Sequence, residues 1–363
     1  MLLLLALLLA GVALYFDQEV PVALLSADTC YKMDLRPQPT WFTRAQWNQD
    51  ESAFLLLEPT LANILQYSTA RFGTKLIASS RATSERIVKF QVIPSGLILE
   101  TSEDEIVWLD SSWNELRRQT LTGTENHALG IYRSSLDWYY YEGIFFSFGF
   151  IETPDGSWRS GLAAVRKQNK SFDILDEVPW ESPARLFYQF GFNYLTATST
   201  AVYFLNLSAG PKITEIALSG ADDFVVRKLD AFPGGYETLP VLPTEMNRAA
   251  ARAVYSTIEN SKMIIGLFAS ESMLFLLERE RSSDGATEWR LITINPTTDR
   301  IEAVQRLPTK APHLVVVPGS RYWVLFEKGH VEDFGKQSTD NAILVPSAWI
   351  YSSTLEAHSG ACG

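Results

Sequence analysis

One short unit recurs along the chain: an apolar strand that ends in Asp or Asn, a polar turn, and a second strand. The three clearest copies span residues 106–121, 202–218 and 291–307, and a weaker copy spans 162–178. The Asp or Asn side chain can accept a hydrogen bond from a backbone N–H two residues further on, which starts a tight turn. The unit therefore predicts an antiparallel hairpin whose second strand lies nearer to solvent.

A more apolar hairpin precedes each copy of the unit. These hairpins span residues 87–99, 138–150, 186–198 and 263–277. Apolar runs of this length predict strands that are buried on both faces. Two buried strands followed by two half-exposed strands make a four-stranded blade, and four such blades are predicted at 86–122, 135–180, 183–219 and 262–308. Two further blades are predicted, one from Ser52 and one from His313 that ends with a strand at Trp349–Tyr351. Six is therefore the expected number, with five and seven as alternatives.

The unit resembles the six-bladed β-propeller superfamily that includes NHL-repeat and TolB-like proteins. The residues that carry this resemblance are 106–121, 202–218 and 291–307, and at the level of the fold it covers about residues 52–355. The resemblance implies a ring of blades around a central channel, a scaffold that supports both enzymes and binding platforms. No catalytic residue of these families falls on a matching position. The predicted fold is all-β, a propeller of about six four-stranded blades with one helical insertion and an N-terminal hydrophobic leader.

The N-terminus predicts export. Residues 2–16 are apolar except for Gly11, a run that is long for a signal-peptide core and short for a membrane span of about 20 residues. We therefore predict that residues 1–27 are a signal peptide, with a membrane anchor or a buried strand or helix as the alternatives, and that the protein is periplasmic or secreted. The predicted order is then an extension at 28–51, the propeller at 52–358 and a tail at 359–363.

The chain has two cysteines, Cys30 near its beginning and Cys362 at its penultimate position. In an oxidising compartment they can form a disulfide, which would tie together the two chain ends that must meet when a ring closes. The alternative is two unrelated thiols. No Cys-x-x-Cys motif and no Cys/His cluster accompanies them, so no metal site is predicted.

One segment, residues 231–260, interrupts the series of strands. It begins with a Pro/Gly-rich loop that contains Phe232 and Tyr236, and its Ala/Arg-rich part predicts a helix that Thr244 can cap. Long insertions are often functional. We predict that Phe232 and Tyr236, with His127 in a loop between two blades, belong to a binding face; the alternative for His127 is an ordinary exposed loop residue.

Composition and motifs limit the function. The formal net charge of −11 argues against nucleic acid as a partner, because phosphate binding needs clustered Lys and Arg. Nucleophile-elbow, P-loop, dinucleotide-binding, zinc-protease and EF-hand motifs are absent, so no cofactor and no catalytic residue is predicted. The leading hypothesis is a binding module for a protein or peptide that touches a membrane only through its N-terminal segment. The alternatives are a carbohydrate-active hydrolase or lyase with acids in the channel, and a structural domain of a larger assembly.

Overall fold

The protein is a six-bladed β-propeller in which each blade is a four-stranded antiparallel sheet. The computed structural model describes residues 29–34, 44–58, 63–68, 74–79, 86–103, 105–120, 132–152, 158–166, 172–178, 194–206, 212–219, 223–234, 236, 256, 260–270, 272–282, 286–328 and 341–362. This architecture confirms the predicted fold class and the predicted number of blades.

Five of the blades are each built from consecutive strands, with the first strand innermost. Blade 1 contains β2 (Arg44–Trp47), β3 (Ala53–Glu58), β4 (Asn63–Ser68) and β5 (Thr74–Ser79). Blade 2 contains β6 (Ile87–Ile93), β7 (Gly96–Thr101), β8 (Glu105–Leu109) and β9 (Glu115–Thr120). Blade 3 contains β10 (Tyr132–Tyr141), β11 (Ile144–Glu152), β12 (Trp158–Arg166) and β13 (Phe172–Val178). Blade 4 contains β14 (Leu195–Ala197), β15 (Ala201–Asn206), β16 (Lys212–Ser219) and β17 (Asp223–Leu229). Blade 5 contains β18 (Met263–Ser270), β19 (Met273–Arg281), β20 (Thr287–Asn295) and β21 (Arg300–Arg306).

Blade 6 is completed by both ends of the chain. Its inner strands are β22 (His313–Val317), β23 (Tyr322–Lys328) and β24 (Asn341–Pro346), and its outermost strand is β1 (Tyr31–Asp34). β1 pairs antiparallel with β24, with Tyr31 opposite Leu344 and Asp34 opposite Asn341. A short α-helix, α1 (Ser347–Tyr351), and a 3-10 helix (Leu355–Cys362) follow β24.

The ring therefore begins earlier in the sequence than we predicted. Both β1 and β2 lie within the stretch 28–51 that we expected to be an extension. β2 has the sequence Arg-Ala-Gln-Trp, and its mixed polarity hides an inner strand from a search for apolar runs. β1 is only four residues long, and its sequence does not show which sheet it joins.

Two further elements differ from the prediction. We assigned residues 183–219 to one blade, but blade 4 starts at β14, so the unit around Asn206 occupies its second and third strands. We also expected Trp349–Tyr351 to belong to the last strand of blade 6, whereas these residues form α1. The N-terminal strand β1 takes that place, so no strand is needed after β24.

The hydrophobic core fills the spaces between the blades. Between blades 5 and 6, Phe275 and Trp323 meet edge to face with ring centroids 4.8 Å apart. Between blades 3 and 4, the rings of Phe148 and Phe204 are 4.7 Å apart. The middle residues of the second strands are buried, and in β3 all six residues are shielded from solvent. Apolar side chains on both faces of a sheet are thus packed against the two neighbouring blades.

The predicted turns follow the expected chemistry. The Asp110 carboxylate accepts hydrogen bonds from the N–H groups of Ser112, at 2.8 Å, and Asn114, at 2.9 Å. The Asn295 side chain accepts from Thr297 at 3.0 Å and Thr298 at 3.1 Å. Both turns join the third and fourth strands of a blade, which confirms the predicted role of the residue that ends the first strand of the unit.

Several predictions fall on residues outside the described ranges. These are the leader at 1–27, the turn after Asn206, the His127 loop and most of the helix from Thr244. Ser256 and Asn260 are described, are both helical, and are joined by a side-chain hydrogen bond of 3.5 Å. Among the described residues, no helix is long and apolar enough to cross a membrane.

Candidate functional site

One carboxylate, that of Asp137 on the inner strand β10, links four blades. Blade 1 provides Arg44, whose NH2 nitrogen lies 3.5 Å from the Asp137 Oδ1 oxygen, and blade 2 provides the Nζ of Lys89. The backbone N–H groups of Tyr194 and Leu195, at the start of blade 4, donate to Oδ2 at 2.9 and 3.2 Å. Asp137 is 2% exposed. Four donors thus converge on one buried carboxylate at the inner edge of the ring.

The Lys89 side chain is buried. Its Nζ also donates to the backbone carbonyl of Trp138 and lies 4.7 Å from the centroid of the Trp138 ring. Burial lowers the pKa of Lys89 to about 8, although Asp137 acts in the opposite direction by favouring the charged form. The indole N–H of Trp138 donates to the buried carboxylate of Glu100 at 2.6 Å. The cations and acids at this point are therefore held in one polar network.

Two glutamines extend this network along the inner strands. The side-chain oxygen of Gln46, on β2, accepts from the Val92 N–H on β6 at 2.8 Å. Gln91, on β6, both donates to the Tyr140 carbonyl and accepts from the Tyr140 N–H on β10, each at 2.8 Å. These side chains satisfy backbone groups at inner edges that no strand covers. Blades 1 to 4 are thus joined in sequence by polar side chains.

A second buried carboxylate, Glu278 on β19, lies beside the predicted insertion. Tyr236, from the beginning of that insertion, donates its hydroxyl to Glu278. Lys262, just after its end, lies 3.3 Å from the same carboxylate, and the Arg290 NH1 nitrogen lies at 3.0 Å. Lys262 also lies 5.1 Å from the centroid of the Tyr236 ring. Both ends of the insertion are therefore fixed to one side chain of blade 5.

The structure describes two of the three residues that we predicted for a binding face. Phe232 and Tyr236 are half-buried, and their rings meet edge to face at 5.7 Å, against the core between blades 4 and 5. Burial and the Glu278 carboxylate raise the pKa of Tyr236. His127 lies outside the described residues. A role for these three residues in binding remains a prediction.

The predicted disulfide is present. Cys30 and Cys362 are joined across 332 residues of sequence, with their Cα atoms 5.2 Å apart. Both sulfur-bearing residues are buried beside Leu355 and Trp349. Such bonds persist in oxidising compartments.

Four charged residues of these sites were not predicted from the sequence: Arg44, Lys89, Asp137 and Glu278. A weak signal exists for Lys89 and Glu278, which are charged residues within runs of mostly apolar residues. Lys89, for example, stands between Val88 and Phe90. A buried charge requires a partner, but the sequence cannot show which distant strand supplies it.

The described residues do not form a carboxylate cluster of the kind that binds a metal ion. They contain no group of three or more His, Cys, Asp and Glu side chains positioned to hold a metal ion. The Asp137 carboxylate contacts cations and N–H donors, and the Glu100 carboxylate joins the same network through the Trp138 indole.

Comparison with known proteins supports the fold. No protein-family model matches the chain, and no curated protein matches it in sequence. A gluconolactonase from Xanthomonas campestris has a similar structure, with a TM-score of 0.51, 9% identity, and coverage of 87% of this chain and 89% of that one. A member of the DUF4221 family from Bacteroides vulgatus gives a TM-score of 0.53, 9% identity and coverage of 89% and 97%. At this identity the likeness shows the propeller fold alone.

Proposed function

We propose that the protein is an extracytoplasmic binding module that holds a protein or peptide partner on the face of the propeller carrying the 231–260 insertion. The observation that carries the proposal is the attachment of both ends of the insertion to Glu278, through Tyr236 and Lys262. A long segment fixed at both ends loses less conformational entropy on binding than a free loop does. The insertion is thus suited to present a surface to a partner.

The inner strands support a binding role over a hydrolytic one. A general acid or nucleophile must reach its substrate, whereas the Asp137 carboxylate is already used by Lys89, Arg44 and two backbone N–H groups. These contacts serve to join blades. The disulfide between Cys30 and Cys362 is consistent with export, because the cytosol keeps most thiols reduced.

The proposal is tested by selecting peptides from a displayed random library on the immobilised full chain. The variant for comparison has residues 238–255 replaced by a short Gly/Ser linker, which leaves the Tyr236 and Lys262 contacts in place. We expect the selected peptides to bind the full chain and to lose binding to the variant. A matched control carries Leu116→Ser on β9, a side chain that is 63% exposed on the outside of blade 2, and should bind as the unmodified chain does.

Equal peptide binding by the linker variant would refute the assignment to this face. The hydrolase or lyase alternative is addressed separately by incubating the full chain with a panel of polysaccharides and following new reducing ends or unsaturated products. Turnover that disappears in Asp137→Asn while folding is retained would favour that alternative over a binding module.

A further inference from the structure

The outer edge of blade 4 differs from the other outer edges. In a sheet, an exposed edge strand offers unpaired N–H and C=O groups to another strand, and natural proteins protect such edges with bulges, short strands or covering segments. The outermost strands β5, β9, β13 and β21 all show a register shift against their neighbours. β1 is only four residues long. β17 has seven residues in unbroken register with β16.

β17 also exposes apolar surface. Val225 is 55% exposed and Val226 is 40% exposed, on opposite faces of the strand. Among the described strands, β17 is hydrogen-bonded to β16 alone. The comparable strand β21 exposes Val304, but the N–H of Arg306 near its end is already bonded to Glu356 at 2.8 Å. β17 is therefore the longest outer strand of the described blades that pairs with its neighbour without a register shift, and it exposes apolar side chains on both faces.

The sequence of β17 is complementary to itself. Alternate residues of a strand direct their N–H and C=O groups to opposite edges. When two identical strands pair antiparallel about a twofold axis, only residues that use the same edge can face each other. The sequence numbers of two facing residues therefore differ by an even number. With the axis at Val225, Asp223 faces Arg227 of the second strand, and Phe224 faces Val226. Val225 faces its own copy. Opposite charges thus meet on one face, and apolar side chains meet on the other.

Neighbouring registers do not give this match. An axis at Val226 would place Val225 opposite Arg227 and Phe224 opposite Lys228. Arg227 already contacts Glu215 and the Pro296 carbonyl, but its side chain remains 44% exposed and can be reached by a carboxylate from outside. Cross-strand pairs of opposite charge and of apolar side chains each stabilise a sheet by about 0.2–1 kcal/mol.

We propose that β17 is an interaction surface for a second copy of this chain, and that two propellers associate by pairing their β17 strands about Val225. Blade 4 of each copy then forms half of a continuous eight-stranded sheet. The closed twofold symmetry limits assembly to a dimer. A seven-residue strand is a small contact compared with the roughly 1,600 Å² of a standard stable interface, so the dimer should dissociate on dilution.

Sedimentation equilibrium of the full chain over a range of concentrations tests the proposal. Residue 225 faces its own copy in the dimer, so Val225→Lys and Val225→Glu should each weaken association by about tenfold or more, because two like charges meet at the axis. An equal mixture of the two variants should associate again, since Lys then faces Glu. Restoration on mixing would not arise from a contact elsewhere on the surface.

The control pair is Val304→Lys and Val304→Glu on β21, a position that is 53% exposed. Neither control variant, alone or mixed, should alter association. The proposal is overturned if the unmodified chain stays monomeric at its highest soluble concentration. It is also overturned if either Val225 variant associates as the unmodified chain does, or if the mixture stays dissociated. Far-ultraviolet circular dichroism verifies that each variant is folded.

Discussion

Among single residues, the buried carboxylate of Asp137 joins residues of four blades. We expect Asp137→Ala to lower the free energy of unfolding by about 3–5 kcal/mol, because Lys89 would remain buried without its carboxylate. Denaturant titration measures the change. Asp110→Ala, which removes an exposed turn carboxylate, is the control and should have a smaller effect.

A double-mutant cycle separates the loss of the ion pair from the unpaired charge that remains. Asp137→Leu combined with Lys89→Met removes both charges, and we expect it to be considerably more stable than Asp137→Leu alone. If the double variant were as unstable as the sum of the two single variants, the two side chains would not be energetically coupled.

The depressed pKa of Lys89 predicts a dependence of stability on pH. Below pH 8 this amine is protonated in both the folded and the unfolded chain, and burial of the charge opposes folding. Between about pH 8 and the ordinary lysine value of 10.5, the unfolded chain binds more protons, so the free energy of unfolding rises with pH. The slope is at most about 1.4 kcal/mol per pH unit. The difference between the unmodified chain and Lys89→Met isolates this contribution, and a flat difference above pH 8 would contradict it.

At the level of strands and turns, two glycines where the second strand of a blade begins form a matched pair: Gly96 is the first residue of β7, and Gly143 directly precedes β11. Gly96 has φ +143°, and a Cβ placed there would lie 2.2 Å from the Leu109 carbonyl oxygen. Gly143 has φ +86°, with no atom within 4 Å of a Cβ. Gly96→Ala therefore places an alanine in an unfavourable backbone conformation and also in a clash with backbone atoms. Gly143→Ala has only the unfavourable conformation. In thermal melting, Gly96→Ala should lower the free energy of unfolding by about 1–3 kcal/mol more than Gly143→Ala does. Equal decreases in the two variants would mean that the strands around Gly96 move apart at no energetic cost.

The strands differ in how far the sequence predicts them, and the reason is local chemistry. Buried second strands such as β3 and β19 are long apolar runs, and the turns at Asp110 and Asn295 use side chains close in sequence. These features depend on neighbouring residues and were predicted. β2 lacks an apolar run because its polar side chains reach the next blade, as Gln46 does with Val92.

The polar sites depend on the closed ring and were not predicted. Asp137 and Lys89 are 48 residues apart, and Tyr236 and Glu278 are 42 apart. Neither pair can be derived from a local pattern. The position of each predicted strand within blade 4 could not be derived from a local pattern either, because an apolar strand fits the first or the second position of a blade equally well.

For the whole molecule, the ring is closed by β1 and by the disulfide that lies directly before it. β1 contributes only four residues of pairing to β24, which is a weak closure on its own. Cys30 precedes Tyr31 immediately, and its partner Cys362 belongs to the helical segment packed against blade 5. The bond therefore fixes the start of β1 to the end of the chain and keeps the two closing elements together.

Removal of this bond should loosen the closure before the rest of the ring. We expect Cys30→Ser combined with Cys362→Ser to lower the free energy of unfolding by up to about 5 kcal/mol, since the bond spans 332 residues and limits the unfolded chain. Hydrogen exchange should show faster exchange at Tyr31–Asp34, whereas β19, in the middle of blade 5, should change only as global stability falls. Equal acceleration in β1 and β19 would mean that the ring opens as one unit, and unchanged protection of β1 would mean that its pairing with β24 suffices to close the propeller.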